Sequence, residues 1–248
     1  MSKSFDNSRV STSFSELKKT FDYSKFDPHC YVAEYYSCIG EENKFLLNFY
    51  HSVYKNMKRG VKILEFGGGP TIYQLLSASD KAAEIVFADY LECNRREVAL
   101  WLNGDPKAIN WDNYIEFVAK LSVTMIFVWD SHLSVILRDI GYLKFVVIST
   151  GFCLDCISQS EAEFSNSLKK LAAFLNYGGT LLLTSLLEAE SYKIGDISFR
   201  SFPISEENLN RILTEIGFKI NRCEITNAER SQGYKGIIAI EATLNKTL

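Results

Sequence analysis

Three consecutive glycines at positions 67–69 constrain the fold of this chain more than any other feature. They follow residues 62–66, a run of apolar and β-forming side chains that is typical of a strand buried on both faces. A segment of helical period begins at Ile72, and a second apolar strand over 85–88 ends at Asp89. A strand, a tight glycine turn, a helix and a second buried strand predict the first half of a doubly wound nucleotide-binding sheet.

The spacing of the glycines distinguishes between classes of cofactor. A dinucleotide fingerprint needs a third glycine where this chain has Ile72. The pattern present is acid-x-G-x-G, carried by Glu65, Gly67 and Gly69, and it is typical of the cofactor loop of S-adenosylmethionine (SAM) methyltransferases. Because SAM has no phosphate, these glycines serve to let the backbone approach the ribose and the methionine portion without a Cβ in the way. Asp89 is expected to accept hydrogen bonds from both ribose hydroxyls.

The composition is that of an ordinary globular protein. At 248 residues, with 47% hydrophobic and 23% charged side chains, the chain suits one α/β domain. We predict a polar N-terminal tail over residues 1–24 and a single methyltransferase domain over 25–248. The net charge of −3, with no run of basic residues longer than an adjacent pair, argues against a nucleic-acid partner. Short apolar runs and an N-terminus without an apolar core predict a cytoplasmic protein with no membrane partner, and we expect a monomer.

Six cysteines are interpreted as reduced thiols, because no export signal is apparent. Cys153 and Cys156 have the spacing of a redox motif. Without a second pair or a histidine cluster this is weak evidence for a metal site, so no metal is expected.

Segments with helical and strand patterns alternate along the rest of the chain. Strands are predicted over 123–129, 145–149 and 180–187, with a loop over 188–203. Two apolar segments, 219–226 and 236–244, predict a closing antiparallel pair. Helices are predicted over 41–57, 93–102, 111–121, 160–175 and 206–216. The fold class is therefore α/β, with a doubly wound, mostly parallel, seven-stranded sheet of the Rossmann-like type, and ligands are expected beyond the carboxyl ends of its strands.

The chain resembles the small-molecule N-methyltransferases that include the nicotinamide, phenylethanolamine and indolethylamine enzymes. The resemblance rests on FDPHCYVAEYYS at 26–37, EFGGGPTIYQLLSA at 65–78, ADYLECN at 88–94, STGFCLD at 149–155 and SYKIGDISF at 191–199. It implies a class I SAM methyltransferase with an N-terminal helical lid. The implied reaction moves a methyl group from SAM to the nitrogen of a small amine or N-heterocycle and leaves S-adenosylhomocysteine.

The resemblance also implies a set of cofactor contacts. Tyr31 and Tyr36 look like the residues that cover the cofactor and the acceptor. Asp89 and Asn94 resemble the contacts to the ribose, and Asp130 resembles the acid beside the adenine. The cofactor site implied in this way consists of Tyr31, Tyr36, Glu65, Gly67, Gly68, Gly69, Thr71, Tyr73, Asp89, Tyr90, Asn94, Asp130, Ser131 and Thr150.

Methyl transfer from a sulfonium needs alignment of the acceptor nitrogen and exclusion of water rather than a metal. Aromatic faces near the sulfonium stabilise it by about 0.5–2 kcal/mol through cation–π attraction. Tyr31, Tyr35 and Tyr36 suit this role, and core packing is the alternative explanation for them. An alkylamine is mostly protonated at neutral pH, and a nearby carboxylate can hold the ammonium and then take its proton. Three acids, Asp155, Glu188 and Glu190, could have this role, and the alternative for each is a solvated position in a loop without a part in catalysis. The catalytic candidates are Tyr31, Asp155, Glu188 and Glu190, and the substrate-binding candidates are Tyr31, Tyr35, Asp155, Ser185, Ala189 and Ser201.

The acceptor side departs from the pattern of the nicotinamide enzyme. There an aspartate at the end of the fifth strand and a following serine grip the amide, and the matching positions here are Ser185 and Ala189. We therefore expect arylalkylamines to be favoured over nicotinamide. A second hypothesis, from a different class, is a non-catalytic SAM-binding homologue that acts as a sensor or scaffold. A dinucleotide oxidoreductase is disfavoured by Ile72.

Overall fold

The computed structural model describes residues 23–121, the backbone of 133–135, and residues 143–229 and 233–246. The predicted strand over 123–129 lies outside these ranges. The described α-helices are α1 (Pro28–Tyr35), α2 (Glu41–Tyr54), α3 (Glu92–Leu102), α4 (Asp112–Leu121), α5 (Glu161–Ala172) and α6 (Glu206–Ile216). The described strands are β1 (Val61–Phe66), β2 (Ala82–Ala88), β3 (Leu133–Val135), β4 (Phe145–Gly151), β5 (Leu175–Leu187), β6 (Ser191–Ile194), β7 (Ile197–Arg200), β8 (Phe218–Asn227) and β9 (Gly236–Leu244).

Seven strands form one sheet in the order β3-β2-β1-β4-β5-β9-β8, and β6 and β7 form a separate hairpin. The pairs β1–β2, β1–β4, β2–β3 and β4–β5 are parallel. Strand β9 is antiparallel to both β5 and β8. Because β1 lies between β2 and β4, the chain winds outward in both directions from the centre. The predicted mostly parallel, seven-stranded sheet with a closing antiparallel pair is confirmed.

The central strand shows why the sheet carries helices on both faces. Adjacent side chains of a strand point to opposite faces, and in β1 both Ile63 and Leu64 are completely buried. Ile63 packs into a cluster with side chains of α2 and α4, whereas Leu64 packs with side chains of α5 and α6. Burial on both faces is the reason why four of the six residues of β1 are apolar, and Glu65 is its buried polar exception.

Two boundaries differ from the prediction around the glycine-rich segments. The segment after the glycine turn is a single 3₁₀ helix, Tyr73–Ala78, instead of an α-helix. Five of its six side chains are buried, so tertiary contacts on nearly all sides override the local periodicity. Helix α5 ends at Ala172, and Leu175 already pairs with Phe145 at the start of β5. The four residues between Leu175 and Thr180 interrupt the regular pairing of β5 with β4. The sequence predicted only the end of a helix at this position.

The predicted loop over 188–203 contains the β6–β7 hairpin, so that interpretation was wrong. The hairpin is short, and its turn carries Gly195 at φ +56°. Tyr35, at the end of α1, fastens the N-terminal segment to it. The Tyr35 hydroxyl donates to the carbonyl oxygen of Lys193 (2.5 Å) and accepts from the Lys193 N–H (3.3 Å). The N-terminal segment is therefore helical, as predicted, and it lies against a hairpin that the sequence did not predict.

Helix α1 begins where the sequence places a capping residue. Asp27 accepts hydrogen bonds from the N–H groups of His29 (2.8 Å) and Cys30 (2.9 Å), and Pro28 occupies the first turn. Within the described ranges, the helices are too short or too polar to cross a membrane.

Alanine substitution should be more destabilising at Gly67 than at Gly60. Both glycines have a positive φ, +69° and +87°, so either alanine incurs left-handed strain of about 1–2 kcal/mol. A Cβ at Gly67 would lie 2.7 Å from the Cβ of Cys153, whereas a Cβ at Gly60 meets nothing within 4 Å. Displacing Cys153 adds about 1–3 kcal/mol of overpacking. Urea unfolding of both variants measures the difference, and equal losses of stability would contradict this account.

Candidate functional site

The glycine turn follows β1 directly and is tied to the end of β2. Gly67 and Gly69 both have positive φ, at +69° and +63°. The Gly67 N–H donates to the carbonyl oxygen of Ala88 (2.7 Å), and the Gly69 N–H donates to Asp89 Oδ2 (2.9 Å). The two strand ends that the sequence predicted as the cofactor edge are therefore joined by backbone and side-chain hydrogen bonds.

Asp89 organises the end of β2. Its Oδ1 accepts from the Leu91 N–H (2.8 Å) and from Asn94 Nδ2 (3.1 Å), in addition to the bond from Gly69 to Oδ2. Burial raises the pKa of Asp89, and the hydrogen bonds from Leu91, Asn94 and Gly69 act in the opposite direction. A carboxylate offers about four lone-pair sites, and three are taken. Asp89 can thus accept one further hydroxyl, and a second ribose hydroxyl would have to replace one of these donors. Tyr90, next along the chain, is exposed.

Glu65 lies beneath the turn and supports it. It is completely buried, and Gln74 Nε2 donates to its Oε1 (3.2 Å). A Cβ on Gly68 would lie 2.9 Å from Glu65 Cγ, so the backbone of the turn rests on this side chain. Thr71 Oγ1 donates to the carbonyl oxygen of Gly68 (2.7 Å). Burial raises the pKa of Glu65 to about 8. Glu65 and Thr71, both assigned to the cofactor site by sequence, therefore shape the turn from within.

Aromatic rings from α1 and from Tyr36, the residue after it, form a cluster that reaches the glycine turn through Tyr31. A Cβ at Gly69 would lie 3.9 Å from Tyr31 Cε1, so the Tyr31 ring faces the turn. The rings of Tyr31 and Tyr36 are 5.7 Å apart, and the Tyr36 ring stacks on Tyr73 at 5.1 Å. The structure brings the predicted lid tyrosines and Tyr73 together above the predicted cofactor edge.

The end of β4 completes this edge. The hydroxyls of Ser149 and Thr150 are shielded from water and make no hydrogen bond of ordinary geometry with any described residue. Ser149 lies close enough to Glu65 to lower the pKa of that acid against the larger effect of burial, and Thr150 has the same effect on Cys153. The groups that would hold the ribose and methionine portion of SAM are therefore Asp89, the backbone at Gly69 and the Tyr31 ring. Asp130, predicted to lie beside the adenine, and Ser131, predicted for the cofactor site, lie outside the described residues.

Asp155 is the buried acid of the acceptor side. It is 1% exposed and lies in the loop after β4. Ser185 Oγ donates to Asp155 Oδ2 (3.0 Å), whereas Asp155 Oδ1 is shielded from water without a hydrogen bond of ordinary geometry in the described part of the chain. Burial raises the pKa of Asp155 to about 6, against the effect of the Ser185 hydrogen bond. The hydroxyl of Ser201 is likewise buried, with no partner among the described residues.

An aromatic group beside Asp155 was missed by the sequence analysis. Tyr23 stacks on Phe199 (5.7 Å between ring centroids), and Tyr192 also stacks on Phe199 (5.3 Å). The Tyr23 hydroxyl donates to the carbonyl oxygen of Cys156 (3.1 Å). The negative charge of Asp155 contributes to the raised pKa of both tyrosines, although burial is the larger cause. The aromatic residues of 191–199 were a signal, but the segment was interpreted as a loop.

The other predicted acceptor-side groups are placed differently. Glu188 and Glu190 are exposed, and Glu188 Oε2 pairs with Lys235 Nζ at 2.7 Å. Glu188 has a positive φ of +55°, which turns the chain at the end of β5. Ala189 is completely buried. Of the three candidate acids, the structure buries Asp155 alone, and the roles predicted for Glu188, Ala189 and Glu190 remain predictions.

A cavity of about 370 Å³ lies between α1 and the loop before α4. It adjoins Tyr36, but none of the predicted acceptor-side residues lines it. Its walls are formed by His29, Val32, Ala33, Tyr36, Ser37, Lys107, Ala108, Ile109, Asn110 and Asn113. All six cysteines are unpaired, and within the ranges described no cluster of His, Cys, Asp or Glu side chains is arranged to hold a metal ion.

Removal of the Asp89 carboxylate should weaken binding of the cofactor product. A hydrogen bond to a charged group contributes about 1.5–3 kcal/mol, so Asp89→Ala should bind S-adenosylhomocysteine roughly ten- to hundredfold more weakly. Isothermal calorimetry measures the affinity. Glu92→Ala, an exposed acid three residues away, is the control and should bind as the wild type does. Equal affinities of the two variants would show that the ribose assignment is wrong.

Closure of α1 should be visible in limited proteolysis. Saturating S-adenosylhomocysteine should slow cleavage within residues 24–37, because a ligand that binds the closed state stabilises it. Tyr35→Phe removes both hydrogen bonds to Lys193 and should speed cleavage in the absence of ligand. Tyr177→Phe, at a tyrosine that is 70% exposed, is the matched control. Cleavage that does not respond to ligand would count against a lid.

Comparison with known proteins places this geometry in a family. The chain matches the NNMT/PNMT/TEMT family over residues 15–133 and 119–243. It is 27% identical to human nicotinamide N-methyltransferase over 239 residues, which cover 87% of this chain and 89% of that enzyme. It is 30% identical to human phenylethanolamine N-methyltransferase over 182 residues, 65% of this chain and 64% of that enzyme. The N-methyltransferase NodS of Bradyrhizobium japonicum, solved with S-adenosylhomocysteine, has the same fold at a TM-score of 0.55 and 11% identity, covering 95% of this chain and 98% of NodS. With a SAM-methyltransferase fold and a family match that spans most of its length, the chain belongs to the NNMT/PNMT/TEMT family.

Proposed function

We propose that this protein methylates the nitrogen of a cationic arylalkylamine, with SAM as the methyl donor and Asp155 as the group that receives the amine. The observation that carries the proposal is a buried carboxylate to which one side chain donates and which has no cationic partner among the described residues. Asp155 Oδ2 is held by Ser185, and Asp155 Oδ1 is buried without a hydrogen bond of ordinary geometry. A buried carboxylate without a cationic partner is costly, and an ammonium ligand supplies both the charge and the donor.

The aromatic residues beside Asp155 suit the aryl part of such a substrate. Phe199 carries stacked rings of Tyr23 and Tyr192, so this side of the pocket is apolar with phenol groups at its edge. The aryl group of an arylalkylamine would pack against these rings, while its alkylammonium reaches the acid. The names of the relatives, which include phenylethanolamine and nicotinamide N-methyltransferases, agree with a small nitrogenous acceptor.

Asp155 can also take a proton from the amine. An alkylammonium has a pKa near that of lysine, about 10, and burial lowers it because desolvation disfavours the charged form. Burial has the opposite effect on the carboxylate and raises the pKa of Asp155 to about 6. The two pKa values approach each other in the closed site, which eases proton transfer. SAM supplies the methyl group by displacement at its sulfonium carbon, and the protein supplies alignment and a dry pocket.

Asp155→Asn tests the proposal while preserving the size of the side chain. The carbonyl oxygen of asparagine still accepts from Ser185, but the charge is lost. We expect kcat/KM for phenylethylamine or tryptamine to fall roughly ten- to hundredfold, the equivalent of about 1.5–3 kcal/mol for a charge-assisted hydrogen bond. Affinity for S-adenosylhomocysteine should stay unchanged. Glu188→Gln and Glu190→Gln should have smaller effects, and Glu207→Gln in the first turn of α6 is the exposed control.

A labelled-methyl assay over nicotinamide, phenylethylamines, tryptamines and thioethers decides between the alternatives. Preferred turnover of nicotinamide, or full amine turnover by Asp155→Asn, would overturn the assignment of Asp155. Absence of methyl transfer to every acceptor, with S-adenosylhomocysteine still bound, would instead favour the sensor or scaffold hypothesis.

A further inference from the structure

The Ser185 hydroxyl lies between two hydrogen-bond acceptors. Its Oγ is 3.0 Å from Asp155 Oδ2 and 3.3 Å from the carbonyl oxygen of Leu186. A serine hydroxyl has a single proton, so it can donate to only one of the two at a time. The hydrogen bond to a carboxylate is roughly twice as strong as the bond to a neutral carbonyl. The preferred acceptor therefore depends on whether Asp155 carries its charge.

We propose that Ser185 is a positioning residue that holds the Asp155 carboxylate in place and releases it, by turning its proton to the Leu186 carbonyl, when Asp155 accepts the proton of the amine. The inference rests on the proposed function, because it takes Asp155 as the group that meets the amine. It goes further by assigning Ser185 a part in proton transfer, in place of the amide-gripping aspartate expected at this position of a nicotinamide enzyme.

The backbone around the pair is rigid enough for this role. Ser185 lies within β5 and pairs with Ile238 of β9. The carbonyl oxygen of Asp155 accepts from the Phe202 N–H at 2.8 Å, which anchors the loop after β4. Ser185 is 2% exposed, and its hydroxyl lies on the same buried side as the carboxylate. With Oδ2 held, Asp155 Oδ1 is the oxygen that remains for the ammonium.

The proton step balances without any other reactant. One N–H bond of the ammonium breaks and its electron pair stays on nitrogen, while an O–H bond forms on Asp155 Oδ1. The products are a neutral amine, whose lone pair is free for methyl transfer, and a neutral carboxylic acid. Ser185 then turns to the Leu186 carbonyl, so no buried hydroxyl loses its hydrogen bond in either state. The proton passes to water when the product leaves.

Among the side chains around Asp155, Ser185 has the largest effect on the pKa of its carboxyl group. The described ionisable groups that its charge reaches are Tyr23 before α1, Tyr192 in β6, and Cys153 and Cys156 in its own loop. Burial raises the pKa of each, so all four are neutral near pH 7. No described basic side chain forms an ion pair with Asp155. Backbone amide groups near the carboxylate also favour its charged form, with a smaller effect than Ser185.

The test is the pH profile of amine methylation in Ser185→Ala. The Ser185 hydrogen bond favours charged Asp155, so its loss raises the pKa of the base. The acidic limb of kcat/KM should move up by about one pH unit, with activity near pH 6 reduced about fivefold and activity above pH 8 little changed. Ser185→Thr keeps the hydroxyl and should restore the limb. Ser158→Ala is the matched control, because Ser158 is a buried serine of the same loop that donates to the Leu154 carbonyl oxygen at 2.6 Å.

Amine binding provides a second measurement that does not depend on turnover. With S-adenosylhomocysteine bound, calorimetry in buffers of different ionisation heat counts the protons released as the amine binds. At pH 6.5, Ser185→Ala should release more protons than the wild type, because more of its Asp155 is protonated beforehand. If Ser185→Ala does not fold, Ser185→Cys keeps a similar volume with a weak donor and should shift both measurements in the same direction.

The outcomes separate this inference from the proposed function. An unshifted acidic limb and unchanged proton release in Ser185→Ala would reduce Ser185 to a structural role, even while Asp155→Asn still loses amine turnover. A shifted limb in Ser158→Ala would mean that any small change in this loop alters Asp155, and would also overturn the inference. Full amine turnover in Asp155→Asn would overturn the proposed function itself.

Discussion

The hydrogen bond from the Gly69 N–H to Asp89 Oδ2, at 2.9 Å, joins the ends of the two central strands on which the site depends. Parallel strands bring their carboxyl ends to one edge, and the hydrogen bonds from Gly67 and Gly69 to the end of β2 fix the glycine turn there. Glu65 supports the turn from below, and Asp89 holds it from the side. The Tyr31 ring can lie against Gly69 because no Cβ intervenes. Loss of such a buried charged hydrogen bond would cost about 1.5–3 kcal/mol.

The two aspartates of the site differ in how completely their oxygens are satisfied. Asp89 accepts three hydrogen bonds from neighbouring groups, so it shapes the site and retains limited capacity for a ligand. Asp155 is more deeply buried, and a single side chain, Ser185, donates to it. Buried charge without full compensation lowers stability and is concentrated at functional sites. This difference supports the cofactor role predicted for the first acid and the acceptor role proposed for the second.

The N-terminal helix α1 lies between the cofactor edge around Asp89 and the acceptor side around Asp155. Tyr31 faces the glycine turn, whereas Tyr35 bonds to Lys193 of the hairpin. The pKa of Tyr192 in this hairpin is raised by burial and, to a smaller extent, by the charge of Asp155. One short helix therefore contacts both the cofactor edge and the acceptor side. If this helix closes as predicted, water would be removed from both at once, and the electrostatic interactions around each acid would be strengthened. A family that uses one fold for different amines can change the acceptor side while leaving the glycine turn intact.

The sequence by itself determined the features that depend on neighbouring residues. Strand, glycine turn and second strand follow from periodicity and from the need for positive φ, and the helices followed from their apolar spacing to within a few residues. Only the tertiary structure decided which distant side chains meet. Ser185 is 30 residues from Asp155, and Tyr35 is 158 residues from Lys193. Such contacts arise from the packing of whole elements, and a local pattern carries no information about them. For the same reason, three acids that look equivalent in sequence separate into a buried Asp155 and two exposed glutamates once the sheet and its hairpin are assembled.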